Sequence, residues 1–290
     1  MIYLLLSIIS STVIFIVFRL YKKYGVNTLQ AIIVNYFIAC IVGFFGYIES
    51  VDDIVRIPSE KWFLGTLILG ALFITVFNLA AITTQRSGLS VVSVATKMSV
   101  AIPVFFGIFI YKESLGFLKI SGILLALAAV YLSSIKTEKG IKIKKRNLIF
   151  PLLVFIGSGI IDTTINYLEN FYVSETDVGL FSSSIFGIAG IIGITILIGQ
   201  AVLGKLKITW KNIAGGIALG IPNYFSIYFL VMALRAPGIE NSVIFTLNHV
   251  GIVLASTILG IVLFKEVLLK KNWIGIALAI ISIILVASSQ

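Results

Sequence analysis

Three ionisable side chains lie deep within apolar stretches of this 290-residue chain, and their types define the chemistry open to it. Lys97 stands in "SVATKMSVAIP", Asp162 in "GSGIIDTTINYLEN" and His249 in "TLNHVGIVLAS". In hydrocarbon an ionisable group costs about 2.5–3.5 kcal/mol on insertion scales, so it persists where it faces a cavity or a partner. An ammonium offers fixed positive charge to a carboxylate or phosphate. A buried aspartate needs a cation or a proton, and a histidine exchanges protons near neutral pH. The set therefore suits binding a small charged solute and handling protons. Each member also has a plain structural explanation: snorkelling for Lys97, a fixed ion pair for Asp162, and backbone satisfaction for His249.

Polar companions extend the set. Asn166 and Glu169 follow Asp162 at i+4 and i+7, on one helical face, with Glu169 nearer the segment end. Asn35, Asn78, Asn223 and Asn248 also fall inside apolar segments, where an amide serves either as a ligand contact or as a bond between helices. Tyr36, Tyr224 and Tyr228 are at hand to stack on a ligand, and equally to pack. "VAIPVFF" and "GIPNYFSIY" place Pro103 and Pro222 within segments, where a proline frees a carbonyl and kinks the helix.

These residues need elements to hold them, and composition says what those elements are. Hydrophobic residues make up 59% and charged residues 12% of the chain, and the mean hydropathy is +1.11. A water-soluble fold of this size needs more polar surface. Ten apolar blocks are expected to cross a bilayer as α-helices: 2–20, 29–48, 62–84, 89–111, 117–134, 148–168, 178–203, 212–234, 239–264 and 272–288. The first block lacks a basic start and a small-residue cleavage site, so it reads as an uncleaved span. Loops are short, the longest being "ESVDDIVRIPSEK" and "IKTEKGIKIKKRN", which leaves no soluble domain. The single cysteine, Cys40, rules out an intrachain disulfide and a thiolate metal cluster, and neither metal nor cofactor is expected.

Charge supplies the orientation. With alternating crossings, the loops after spans one, three, five, seven and nine carry sixteen Lys and Arg residues, against five on the opposite face. By the positive-inside rule the richer face is cytoplasmic and both termini lie outside. The run "KTEKGIKIKKRN" reads as a topology anchor and a contact for anionic lipid, not as a nucleic-acid site.

The halves repeat. "GIFIYKESLGFLKISGILLALAAVYL" (107–132) and "GIVLFKEVLLKKNWIGIALAIISIIL" (260–285) are identical at ten of twenty-six positions, including Gly107/Gly260 and Glu113/Glu266. "KWFLGTLILG" from Lys61 and "KNIAGGIALG" from Lys211 match earlier in the halves. Five spans per copy force the second copy upside down, and inverted repeats suit a carrier that rocks around a midplane site. The "G-x4-KE-x-L" and "GI-x-LA" motifs in both halves resemble the EamA family of the drug/metabolite transporter superfamily. The resemblance implies an all-α integral membrane protein with ten transmembrane helices in two inverted five-helix repeats, residues 1–134 and 148–290. The basic segment 135–147 joins them.

The expected function is secondary active transport of a small metabolite, an amino acid or another carboxylate-bearing solute, in the outward direction and coupled to protons. An uncoupled facilitator and a non-transporting receptor or assembly factor are the alternatives. The chain has no G-x-S-x-G, H-E-x-x-H or paired-aspartate motif, so no enzyme is expected. Lys97, Asp162, His249, Asn35, Asn78, Asn166, Asn223, Asn248 and Tyr228 are the candidates for binding or coupling. Glu113, Glu266, Gly107 and Gly260 read as structural signature positions. Minimal loops suit a bacterial inner membrane.

Overall fold

An apolar segment without water must satisfy its own backbone hydrogen bonds, and coiling into an α-helix does so within the segment. The computed structural model describes residues 1–47, 51–87, 95–110, 116–134, 149–204, 208–264 and 269–288, and among these there are helices and no strand. In chain order the helices are α1 (Ile2–Tyr24), α2 (Thr28–Tyr47), α3 (Val51–Arg56), α4 (Phe63–Ser87), α5 (Ala101–Ile110) and α6 (Phe117–Ser134). There follow α7 (Ile149–Phe171), α8 (Val178–Val202), α9 (Trp210–Leu234), α10 (Asn241–Phe264) and α11 (Lys270–Ala287). Among the described residues six stretches are long and apolar enough to cross a membrane: 28–46, 63–80, 149–171, 175–202, 210–234 and 241–260. Residues 2–18, 95–110 and 117–129 form shorter apolar helices.

Two local departures from the sequence expectation have physical causes. The stretch "ESVDDIVRIPSEK" contains α3 and a 3-10 turn at Ile57–Ser59. Asp52 and Asp53 in its first turn and Arg56 in its last suit the helix dipole. The segment around Lys97 is helical at 95–98, turns at Ser99 and Val100, and resumes as α5. Pro103 has no N–H to give the Ser99 carbonyl, which accepts instead from the Ile102 N–H at 2.9 Å. Pro222, by contrast, lies within an unbroken α9.

In lipid the helices gain nothing by hiding apolar surface from one another, so close fit and polar bonds hold them. The most extensive packing joins α6 to α11, α9 to α1 and α2, and α8 to α2 and α4. The α2–α9 contact relies on Gly216 and Gly220, a small-xxx-small pair. A Cβ on Gly216 would stand 2.8 Å from the Ala31 carbonyl oxygen, and one on Gly220 2.8 Å from that of Asn35. Beside it, the buried rings of Tyr36 and Phe73 close on Phe186, stacked at 6.2 Å and edge-on at 5.8 Å.

The two ends of the bundle are fastened differently. At one rim Arg56 reaches Asp177 at 2.8 Å and Glu60 at 3.0 Å, and Lys119 pairs with Glu240. The hydrogen bond to Asp177 holds the Arg56 guanidinium above its ordinary pKa, so it stays charged. Arg235 meets Glu169 at 2.9 Å and donates to the Val173 carbonyl at 2.6 Å. Lys119, one of the five basic residues counted on the charge-poor face, is 1% exposed. At the opposite rim the described contacts are neutral. The Asn27 N–H donates to Asn212 Oδ1 at 2.9 Å, Asn212 donates to Gln30 at 2.6 Å, and Asn272 donates to the Leu132 carbonyl at 2.9 Å.

Candidate functional site

The 95–98 turn, α1, α7 and α10 converge around the three ionisable groups. Lys97 is buried, with Nζ 4.9 Å from the centre of the Phe15 ring, a cation–π distance. Asp162 on α7 lies within Coulombic reach of Lys97. Gly159, one turn earlier, brings α7 against α5, since a Cβ there would stand 2.7 Å from Ile102 Cβ. From α10, His249 places Nε2 3.4 Å from Asp162 Oδ2. Its other ring nitrogen, Nδ1, is 3.0 Å from the carbonyl oxygen of Phe245, one turn back on the same helix. Lys97 is thus buried over an aromatic face within the field of Asp162, which in turn neighbours His249.

The other candidates divide into separate places. Asn223 donates to Asn35 Oδ1 at 3.0 Å, an amide bond between α9 and α2. Asn35 donates in turn to the Ile32 carbonyl at 3.2 Å. Asn166 is fully buried one turn beyond Asp162, where its Oδ1 accepts from Asn241 at 2.6 Å and from Asn170 at 2.7 Å. Asn78 donates to the Ile74 carbonyl of its own helix at 2.7 Å. Asn248 is buried beside His249, and Tyr228 stacks on Tyr224 at 5.8 Å. Gly107 and Gly260 are buried within helices. Glu113, Glu266 and the basic linker lie outside the described residues.

So Lys97, Asp162 and His249 come together, with Asn166 and Asn248 as neighbours along the same helices. Asn35 and Asn223 are joined elsewhere, each occupied by the other. Sequence inspection missed three contributors. Phe15 carries no polar signal. Asn241 reads as a helix-start residue, and the Phe245 carbonyl follows only from the i−4 relation to His249. The last could have been found by asking where the imidazole N–H goes.

Chemically, the site holds one amine, one carboxylate and one imidazole, with Lys97 and His249 buried. An ammonium can receive an anion, and a carboxylate oxygen 3.4 Å from an imidazole nitrogen is near enough to share a proton with it.

The EamA-like transporter family model matches residues 1–135 of the chain. An uncharacterized protein of Haemophilus influenzae is 25% identical over 287 residues, covering 97% of this chain and 95% of its own. A crystal structure of another protein superposes with a TM-score of 0.77 at 13% identity, over 99% of this chain and 96% of that one. A likeness at that identity concerns the fold.

Proposed function

We propose that the chain, whose residues 1–135 match the EamA-like transporter family of the drug/metabolite transporter superfamily, is a proton-coupled carrier exporting a small carboxylate-bearing metabolite. It is a multi-pass membrane protein of the drug/metabolite type. The finer reading has ten crossings in two inverted five-helix repeats, 1–134 and 148–290, in a bacterial inner membrane with both termini outside.

The internal packing supports the inverted halves. If α1, α2, α4, α5 and α6 correspond to α7, α8, α9, α10 and α11, most of the cross-half contacts have a mirror image. The packing of α1 on α9 answers that of α7 on α4, and α1 on α10 answers α7 on α5. Likewise α2 on α9 answers α8 on α4. The α2–α8, α5–α10 and α6–α11 pairs each join a helix to its own counterpart. Two such halves can rock about a central site and open it to one side or the other.

One observation carries the functional reading. Lys97 of the first half lies buried over Phe15 within the field of Asp162 of the second half, and Asp162 neighbours His249. There the ammonium receives the solute carboxylate, an amino acid being one such solute, and Asp162 with His249 takes part in proton coupling. Rocking then carries solute and protons from one rim to the other.

The test is transport by reconstituted protein of metabolites chosen by thermal-shift screening. Lys97→Ala should lower flux at least tenfold while the purified protein keeps its unfolding transition. Unchanged flux in that variant would remove Lys97 from the site.

A further inference from the structure

The geometry of His249 points to how the coupling ion is held, which deepens the carrier reading and rests on it. We propose that Asp162 and His249 form a binding site for one shared proton, whose occupancy decides whether Lys97 is available to an anion.

The argument begins with the ring's fixed side. His249 Nδ1 faces the Phe245 carbonyl oxygen at 3.0 Å, and a carbonyl only accepts, so Nδ1 carries a hydrogen and donates it. In a neutral imidazole the other nitrogen, Nε2, is then a bare acceptor. Yet Nε2 stands 3.4 Å from Asp162 Oδ2, a second acceptor when the carboxyl is ionised. Two lone pairs do not hold one another in a buried site. A proton between them removes the conflict, whether it resides on Nε2 or on the carboxyl oxygen. On uptake it adds to a lone pair of the couple from a water molecule; on release it returns to water, and no other bond changes.

The surroundings keep this a one-proton site. Around the couple α7 packs on α4, α5 and α9, and α10 packs on α1, α5, α6, α9 and α11. Lys97, just ahead of α5, is the charged group whose field reaches Asp162. Toward the ionic rim Glu169 is engaged by Arg235 and Glu240 by Lys119. Lys23 of α1, Lys211 of α9, and Lys270 and Lys271 of α11 are exposed at the opposite rim. The buried Tyr224 of α9, half-buried Tyr228 and buried Tyr21 of α1 are phenols.

Counting charge gives the coupling. With the shared proton the three groups sum to one positive charge, and a bound monocarboxylate that carries no ammonium of its own makes the loaded centre neutral. Without it Asp162 neutralises Lys97, and a solute carboxylate must compete with a resident one. A neutral centre moves through a low-dielectric core more easily than a charged one. Proton and carboxylate therefore bind together, one of each, and export is the excretion of an acid with its proton, down the acid's own gradient.

His249 is the chain's only histidine, which makes the test direct. Full-length protein labelled with 15N-histidine is placed in proteoliposomes, with the proton itself as the probe, and ring-nitrogen shifts are followed as pH is varied. Nδ1 should remain protonated throughout while Nε2 alone moves between bare and protonated forms. The 13C signal of Asp162, identified by its loss in Asp162→Asn, should move over the same pH interval. In Asp162→Asn the side-chain amide donates to Nε2, and the imidazole should stay neutral to lower pH. A neutral ring protonated at Nε2 with Nδ1 bare would overturn the proposal, as would an imidazole whose titration Asp162→Asn leaves unmoved. A wild-type protein that shows the shared proton but moves no solute would sink the carrier reading alone.

Discussion

The Lys119–Glu240 pair links α6 of the first half to the start of α10 in the second, so opening that rim has to break it. Glu240→Gln removes the carboxylate that pairs with Lys119, whose side chain is 1% exposed. Removing one member of a buried pair typically costs about 3–5 kcal/mol. The Glu240 side chain is 30% exposed, which lets water take over part of its role, so about 1.5–2 kcal/mol is the expected loss to the closed form. That corresponds to roughly a 10- to 30-fold shift toward the form open at this rim. The readout is a cysteine at Thr163, whose hydroxyl is buried without a hydrogen-bond partner. With Cys40 replaced by alanine, Thr163→Cys is the sole thiol, and a membrane-impermeant maleimide applied to the ionic rim reports its access. Labelling should quicken by that factor in Glu240→Gln and slow again in the charge-reversed Lys119→Glu/Glu240→Lys double variant. Equal rates in parent and Glu240→Gln, with unfolding temperature unchanged, would refute the idea that this pair holds the rim shut.

Two further outcomes concern the join between α2 and α9. Asn223→Leu deprives fully buried Asn35 of its amide partner and should lower stability by about 1–2 kcal/mol, read as a lower unfolding temperature in detergent. The Asn35→Leu/Asn223→Leu double variant should recover most of that loss. Gly220→Ala should cost about 1–3 kcal/mol because the new methyl meets the Asn35 carbonyl oxygen, whereas Gly199→Ala, which meets nothing within 4 Å, should be neutral or slightly stabilising in the same assay.

The helices were legible because a bilayer imposes length and composition together. Blocks at 29–48, 178–203 and 212–234 correspond to α2, α8 and α9 within two residues at each end. The ends blur where helix outlasts hydrocarbon: α1 continues through Lys22 and Lys23 to Tyr24, closing where Gly25 takes a φ of 65°. The identity of the deep residues was legible too, since Lys97, Asp162 and His249 stand out against apolar neighbours. Their partners were not. Helices apolar all round carry no polar stripe to fix their rotation, so nothing in "IIDTTIN" says that Asp162 meets His249 at 3.4 Å. The same silence hid the Asn35–Asn223 bond and the burial of Lys119, which looked like one more rim cation.

Sequence alignment of the halves sets Lys119 against Asn272, at an offset of 153, and Asp177 against Asn27, at an offset of 150. Each of these four residues fastens its own rim, Lys119 and Asp177 as ions, Asn272 through its side-chain amide and Asn27 through its backbone N–H. Dissolved salt loosens the first kind of fastening and leaves the second nearly untouched. Under the proposed rocking of the halves, a cell moved from fresh water to brine would find the resting posture of this protein tilted toward one compartment, chiefly through the exposed Arg56, with no ligand bound and no residue modified.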